Sequence, residues 1–557
     1  VDLRHLIFQT IVILCGVFFP LQAQLLAAGE SDTLGASYRS EKVLIPAADG
    51  LFLKGEVLVP ETEREGASEG TFPAIVFLNP FGQGYGVYLN VARGYAERGF
   101  LVLLFNPRGW HGSQGHTTFD YRLLVQDNKA VIDWLMTHYS VNSGQIGLTG
   151  ISEGGGLALL SAAHDSRIGA IASFSAWSDL LHPSLGDTTR TTWTGILGGL
   201  SLLFGEFGKM LENAREEQRN DPDGERQRQR AREISPIHHV EALNKNRTAI
   251  FLSHNFDDIL FPVNEILELY DGLEGPKSLF VNPGFHAISE VMDLRKNRDG
   301  LWERAYGWFD QWLKHPEERA SPIASQGITF ALKNELNAVQ VPNRSAPEIT
   351  PSVYRIKSGL DGQRMLEDLT VNEVSSETTV ESSPMVLKSA RWHGGAVHTG
   401  IPLYSAYRGG QDRQPVSVNI RRFKEPFTLA FLGEISEADQ VIYGVPRVKV
   451  SFHSQADKGQ LIPHLLDVAS DGTARLVTHG VWSWYRPSAD GFFEQEIQLY
   501  GVAWRLAKGH RLMLAFDTKD LEYWPPQLGS YDLDFAKGRV STTLHLPVLR
   551  EPQEWLQ

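Results

Sequence analysis

The chain has 557 residues, 42% hydrophobic and 21% charged, with a formal net charge of −14. That length exceeds what one compact core usually holds, so two or more domains are expected, and the ordinary composition excludes wholesale disorder. The acidic balance repels nucleic acid and anionic membrane surfaces, and the one cysteine, Cys15, excludes an internal disulfide and a Cys/His metal box.

The N-terminus carries Arg4, then an uncharged, mostly apolar run over 6–21, then Gln22-Ala23-Gln24. A positive start, an apolar centre and a small residue near its end predict a signal peptide over 1–28 and an exported protein, periplasmic or secreted. An uncleaved anchor is the alternative, because the run is almost long enough to span a bilayer, and any membrane association would then go through this segment. Leu14 before Cys15 is not the small residue that lipidation needs.

Over 40–320 strands and helices alternate. Residues 51–59 alternate as a strand, and the apolar runs 72–78 and 100–105 read as strands buried on both faces. Residues 121–139 place Leu123, Leu124, Val131, Ile132 and Leu135 at helical spacing. A strand over 145–149, a helix from Glu153, strands over 168–174, 248–252 and 278–281, and an aromatic helix over 301–313 follow. Repeated β–α units predict a doubly wound, mostly parallel α/β sheet. Residues 179–244 interrupt it: rich in Gly, Thr and Leu at first, then charged over 212–233. We expect a helical cap there, above the carboxyl edge of the sheet, with a solvated outer face. Over 321–557 the helical period disappears. Short alternating stretches at 447–452, 461–468, 474–479 and 510–516, broken by turn residues, predict an all-β sandwich or jelly roll.

The strongest motif is Gly150-Ile151-Ser152-Glu153-Gly154, a G-x-S-x-G between a predicted strand and a predicted helix. That context is the nucleophile elbow: a sharp turn exposes the serine, and the N–H of the next residue, Glu153, faces a developing oxyanion. A serine hydroxyl needs a base, and the base needs an orienting acid, in the chain order Ser, Asp or Glu, His. His286 and the pair Asp257-Asp258 lie in loops after predicted strands, at the same sheet edge as Ser152. Asp258, four residues before Pro262, is preferred as the acid over Asp257. His254 reads as a hydrogen-bonded member of the acid loop and His111 as a loop residue.

With these motifs the chain resembles the X-prolyl dipeptidyl aminopeptidase and CocE/NonD family of serine hydrolases. In the first part the resemblance rests on Asn79-Pro80-Phe81-Gly82, Asn106-Pro107-Arg108-Gly109, Ser113-Gln114-Gly115, the Ser152 elbow and the Asp258 and His286 loops. In the second it rests on Gly444-Val445-Pro446, Leu466-Asp467-Val468, Asp471-Gly472 and Lys508-Gly509-His510-Arg511-Leu512. It implies an α/β-hydrolase domain followed by a jelly roll, and a triad of Ser152, His286 and Asp258. Members often carry a tyrosine where this chain has Phe81, and its hydroxyl helps to form the oxyanion hole. Here either the backbone N–H of Phe81 serves with that of Glu153, or Tyr85 or Tyr88 reaches in. Members also often carry tyrosine at Glu153. A carboxylate there either binds a substrate amine or is a helix N-terminal acid stabilised by the dipole.

The expected reaction is acyl transfer from an ester or amide to water, without metal or organic cofactor, on a small molecule or a peptide. Tyr85, Trp110 and Trp177 are candidate substrate contacts, with Trp193 a further aromatic of the cap. One rival is an X-prolyl dipeptidyl aminopeptidase. The other is a binding protein whose jelly roll recognises glycans or a partner, against which the complete Ser–Asp–His order argues.

Overall fold

The computed structural model describes residues 37–549 apart from 62–70, 181–224, 259, 295–299, 321–326, 343–348, 359–362, 370–384, 390–396, 401–404, 406–407, 411–412, 485–487, 521 and 524–528. The expected signal segment and Trp193 lie outside the described residues. None of the described helices is long and apolar enough to cross a membrane.

The first sheet is built from β1 (Tyr38–Pro46), β2 (Phe52–Pro60), β3 (Phe72–Leu78), β4 (Leu101–Phe105), β5 (Val141–Ile151), β6 (Ile168–Phe174), β7 (Ala249–Asn255), β8 (Lys277–Asn282), β9 (Gly327–Ala331) and β10 (Ala338–Val341). Their order is β1-β2-β4-β3-β5-β6-β7-β8-β9-β10. From β4 to β9 neighbouring strands are parallel, while β1, β2 and β10 add antiparallel edges. The central strands are buried on both faces, which is why they read as continuous apolar runs. In β3, Ala74 and Val76 face one core, Ile75 and Phe77 the other. The first core is covered by α2 (Tyr121–His138), α3 (Glu153–His164) and α6 (Val263–Gly272); the second by α1 (Leu89–Glu97) and α8 (Leu301–Lys314). The intervening helices are α4 (Glu225–Glu233), α5 (Val240–Asn246) and α7 (Ile288–Asp293).

The described end of the predicted cap insertion is helical, through α4 and α5; residues 181–224 lie outside the described part. The first sheet also runs past residue 320, where the sequence placed its end. Ile328 and Phe330 of β9 pack in the first core, with β9 parallel to β8. A five-residue apolar strand followed by an antiparallel partner has the same local pattern as a sandwich strand, and only its pairing separates the two.

Residues beyond β10 form an almost wholly antiparallel second sheet system, as expected of an all-β domain. The predicted strands appear as Arg447–His453, Gly459–Val468, Ala474–His479 and Arg511–Asp517. Phe431, Phe452, Trp504 and Phe516 lie at the centre of its own core. The two domains are packed together: Val441, Tyr443, Ala503 and Leu549 join the first core, with the Tyr443 ring 5.7 Å from that of Phe330.

Candidate active site

Strand β5 ends at Ile151 and α3 starts at Glu153, so Ser152 alone makes the turn. It does so at φ 56° and ψ −115°, a conformation that non-glycine residues adopt only when their surroundings enforce it. Here Ser152 N donates to Phe174 O at 2.8 Å, and Gly156 N donates to Ser152 O at 3.0 Å. The glycines of the motif are needed for close approach. A Cβ on Gly150 or Gly154 would lie 2.4 or 2.0 Å from Leu78 O. The end of β3 therefore rests directly on the elbow.

His286 follows β8 and stands between the serine and the acid. Its Nε2 is 2.7 Å from Ser152 Oγ, and its Nδ1 is 2.7 Å from Asp258 Oδ2. With a proton on Nδ1, the ring donates to Asp258 and accepts from the serine hydroxyl. Asp258 Oδ1 accepts from Leu260 N and Phe261 N, both at 2.9 Å. Burial alone would raise the Asp258 carboxyl, but the charge and hydrogen bond of His286 together with the loop amides hold it below the ordinary carboxylate range. Asp257 turns elsewhere, forming an ion pair with Lys333 Nζ at 2.6 Å. Of the two aspartates, only Asp258 faces the imidazole.

His254 is fully buried beside this pair, and its Nε2 is 2.8 Å from Phe261 O. Burial pushes it below the usual histidine range, so the neutral ring donates to that carbonyl and fixes the acid loop. The Glu153 side chain is also buried, and burial pushes its carboxyl up to about 8. As the first residue of α3, Glu153 has a backbone N–H with no acceptor inside the helix.

Phe81 lies in the loop after β3. Its ring stacks on Phe119 at 5.5 Å and meets Trp110 edge-on at 5.3 Å. The aromatic contacts continue from Phe119 to Tyr121, Trp177, Phe261 and His286. Trp110 stands beside Phe81. Trp177 does not stand on a wall. It is 1% exposed, its Nε1 donates to Ile234 O at 2.8 Å, and its ring fills the space above Gly156. An aromatic after a strand reads the same in sequence whether it packs or lines a site.

Neither tyrosine takes the place of the hydroxyl missing at Phe81. The Tyr85 hydroxyl is bonded to Lys42 Nζ of β1 at 3.1 Å. The Tyr88 hydroxyl donates to Leu78 O at 3.2 Å and accepts from Ile151 N at 3.0 Å. Tyr88 thus ties the strand before the Phe81 loop to the residue before Ser152. Arg108 likewise serves the scaffold, with both ends of its fork on Asp127 at 2.6 and 2.7 Å. Among the described residues no group of three or more His, Cys, Asp or Glu side chains is placed to hold a metal ion.

Two family profiles match the chain in order. Residues 49–288 match the X-Pro dipeptidyl-peptidase (S15 family), and residues 414–553 match the X-Pro dipeptidyl-peptidase C-terminal non-catalytic domain. An uncharacterized protein, PA2218, from Pseudomonas aeruginosa is 33% identical over 144 residues, which is 25% of this chain and 37% of that protein. The chain thus spans well under half of that relative. Over almost its whole length the fold matches two crystal structures at 13% identity. One is an aminopeptidase from the marine sediment archaeon Thaumarchaeota archaeon, with a TM-score of 0.66 over 92% of this chain and 97% of the other. The second is a CocE/NonD family hydrolase from Staphylococcus aureus, with a TM-score of 0.65 over 92% and 94%.

Proposed function

From its membership of the X-Pro dipeptidyl-peptidase (S15) family, we propose that the chain is a serine hydrolase acting on an ester or amide bond. The observation that carries this reading is the pair of 2.7 Å contacts that His286 makes to Ser152 Oγ and to Asp258 Oδ2. Ser152 Oγ attacks the substrate carbonyl as His286 Nε2 takes its proton. The oxyanion forms against the N–H groups of Glu153 and Phe81. Collapse expels the alcohol or amine, which leaves with the proton from Nε2, and the acyl group stays on Ser152. Water then attacks that acyl group by the same route and releases the acid. Asp258 keeps the proton of the resting imidazole on Nδ1 and stabilises the imidazolium.

A panel of acyl esters, amides and Xaa-Pro amides, run on wild type and Ser152→Ala, tests the reading. Hydrolysis of at least one class by wild type, lost in the variant, is the expected outcome. Equal turnover by both proteins would end it.

Glu153 favours one narrower reading, the removal of dipeptides from X-Pro N-termini. A buried carboxyl one residue from the nucleophile becomes far more favourable as an anion once an ammonium group faces it. Under this reading Glu153→Gln loses about tenfold or more in kcat/KM on free-amine substrates and little on the N-acetylated ones. Equal losses on both would remove the amine from the account.

A further inference from the structure

Behind His286 lies a buried polar chain for which the triad has no use. Glu290, in the first turn of α7, is fully buried, and its two oxygens accept from Ser253 Oγ and Asn255 Nδ2, each at 2.8 Å. Asn255 Nδ2 donates its other proton to Ser175 Oγ at 2.9 Å. Ser175 Oγ also accepts the backbone N–H of Ala287 at 3.2 Å. Asn282, at the end of β8, joins through Ser253 Oγ at 3.3 Å. Four separate segments are thereby tied together: the ends of β6, β7 and β8 and the first turn of α7. The loop carrying His286 spans the gap between the last two.

Two backbone features give the chain its purpose. Ala287, next to the imidazole, sits at φ 58°, and Ser175 sits at φ 46°. Both are left-handed conformations that cost free energy unless neighbours hold them. The left-handed turn at Ala287 sets where His286 leaves the backbone. Backbone bonds from Ile288 N to Phe285 O at 3.1 Å and from Val291 N to Ala287 O at 2.9 Å close around it, and the Ala287 N–H itself meets Ser175 Oγ. The orientation of the Asn255 amide is fixed in turn, because a flip would set its oxygen against the Glu290 carboxylate. We propose that the buried chain Glu290–Asn255–Ser175 is the positioning device for the base, holding the turn at Ala287 so that His286 reaches Ser152 and Asp258 together. Ser175 is therefore a positioning residue that acts through Ala287. The inference rests on the serine-hydrolase reading above, which makes His286 the base.

The test compares Ser175→Ala and Ser175→Gly with wild type on whichever substrate wild type turns over. Both variants delete the hydroxyl, and only glycine relieves the left-handed strain at 175. We expect both to lose about tenfold or more in kcat with KM within about twofold, as displacement of a catalytic group does. The rate of covalent labelling by a fluorophosphonate should fall in parallel. Glu290→Leu, which removes both acceptors at similar volume, should give the same kcat-selective loss. Wild-type kcat in Ser175→Ala would overturn the proposal. So would full activity in Ser175→Gly with loss only in Ser175→Ala, which would make backbone strain the whole effect. If Ser152→Ala hydrolyses as fast as wild type, the underlying serine-hydrolase reading fails instead, which keeps the two failures apart.

Discussion

Two aspartates, one in each domain, are equally hidden from water and reach opposite states. Asp258 is 3% exposed and Asp517 is 0% exposed. Asp258 faces His286 and accepts two loop amides, and its carboxyl is held below the ordinary range. Among the described residues Asp517 accepts from Thr428 Oγ1 and Val397 N, with Asp520 nearby, and burial pushes its carboxyl well above the ordinary range. Burial therefore does not mark a functional carboxylate. What marks it is a partner that becomes cationic, fixed at hydrogen-bonding distance. The backbone repeats the contrast. Ser152, Ser175 and Ala287 hold left-handed conformations around the loops of the first sheet, whereas Arg413 is the one non-glycine residue with positive φ among those described beyond β10.

The contrast breaks most visibly at Asp258. Asp258→Asn leaves a neutral amide that cannot orient the imidazole as the carboxylate does, and kcat should fall by about four orders of magnitude with the fold intact. A loss of only a few fold, with circular dichroism unchanged, would mean that another group holds the ring. The neighbouring substitution is the control. Asp257→Asn breaks the ion pair with Lys333 but leaves the imidazole its partner, so kcat should stay within about fivefold of wild type. Steady-state kinetics on the two variants side by side checks both.

Asp517→Asn should leave kcat unchanged and alter only how stability depends on pH. The folded protein keeps the Asp517 proton at pH values where the unfolded chain has lost it. Stability from this group thus falls as pH rises above the unfolded value near about 3.9, by up to about 1.4 kcal/mol per pH unit, until the folded group ionises. The variant should flatten that decline in urea melts taken from pH 4 to 8. Asp258 has the opposite sign: its contribution is present above the unfolded value and is lost as pH falls through the lower folded one. An unchanged pH slope in Asp517→Asn would show that Asp517 is charged in the folded state.

Much of the site was legible because it depends on local order. The strand–G-x-S-x-G–helix context of Ser152 and the spacing of Asp258 to Pro262 lie in short stretches, and the Ser–Asp–His order is read along the chain without any knowledge of pairing. That spacing has a physical basis, since it lets Leu260 N and Phe261 N turn back onto Asp258 just before α6 begins. Ser175, Asn255 and Glu290 were not legible. Each is an unremarked polar residue at a strand end or in a first helical turn, and its partners come from other segments. Tyr88 stood beside Tyr85 as an alternative to the Phe81 N–H in the oxyanion hole, but its hydroxyl bonds to two backbone groups from strands that meet only in the fold. The extension of the first sheet by β9 and β10 was missed for the same reason, because pairing rather than period assigns them.

The most direct measurement is labelling of the folded protein by a fluorophosphonate, with mass spectrometry of the adduct, in wild type, Asp258→Asn and Ser152→Ala. The account predicts rapid modification of wild type at Ser152, much slower modification of Asp258→Asn, and none of Ser152→Ala. An adduct on another residue, or equal labelling of wild type and Ser152→Ala, would contradict it.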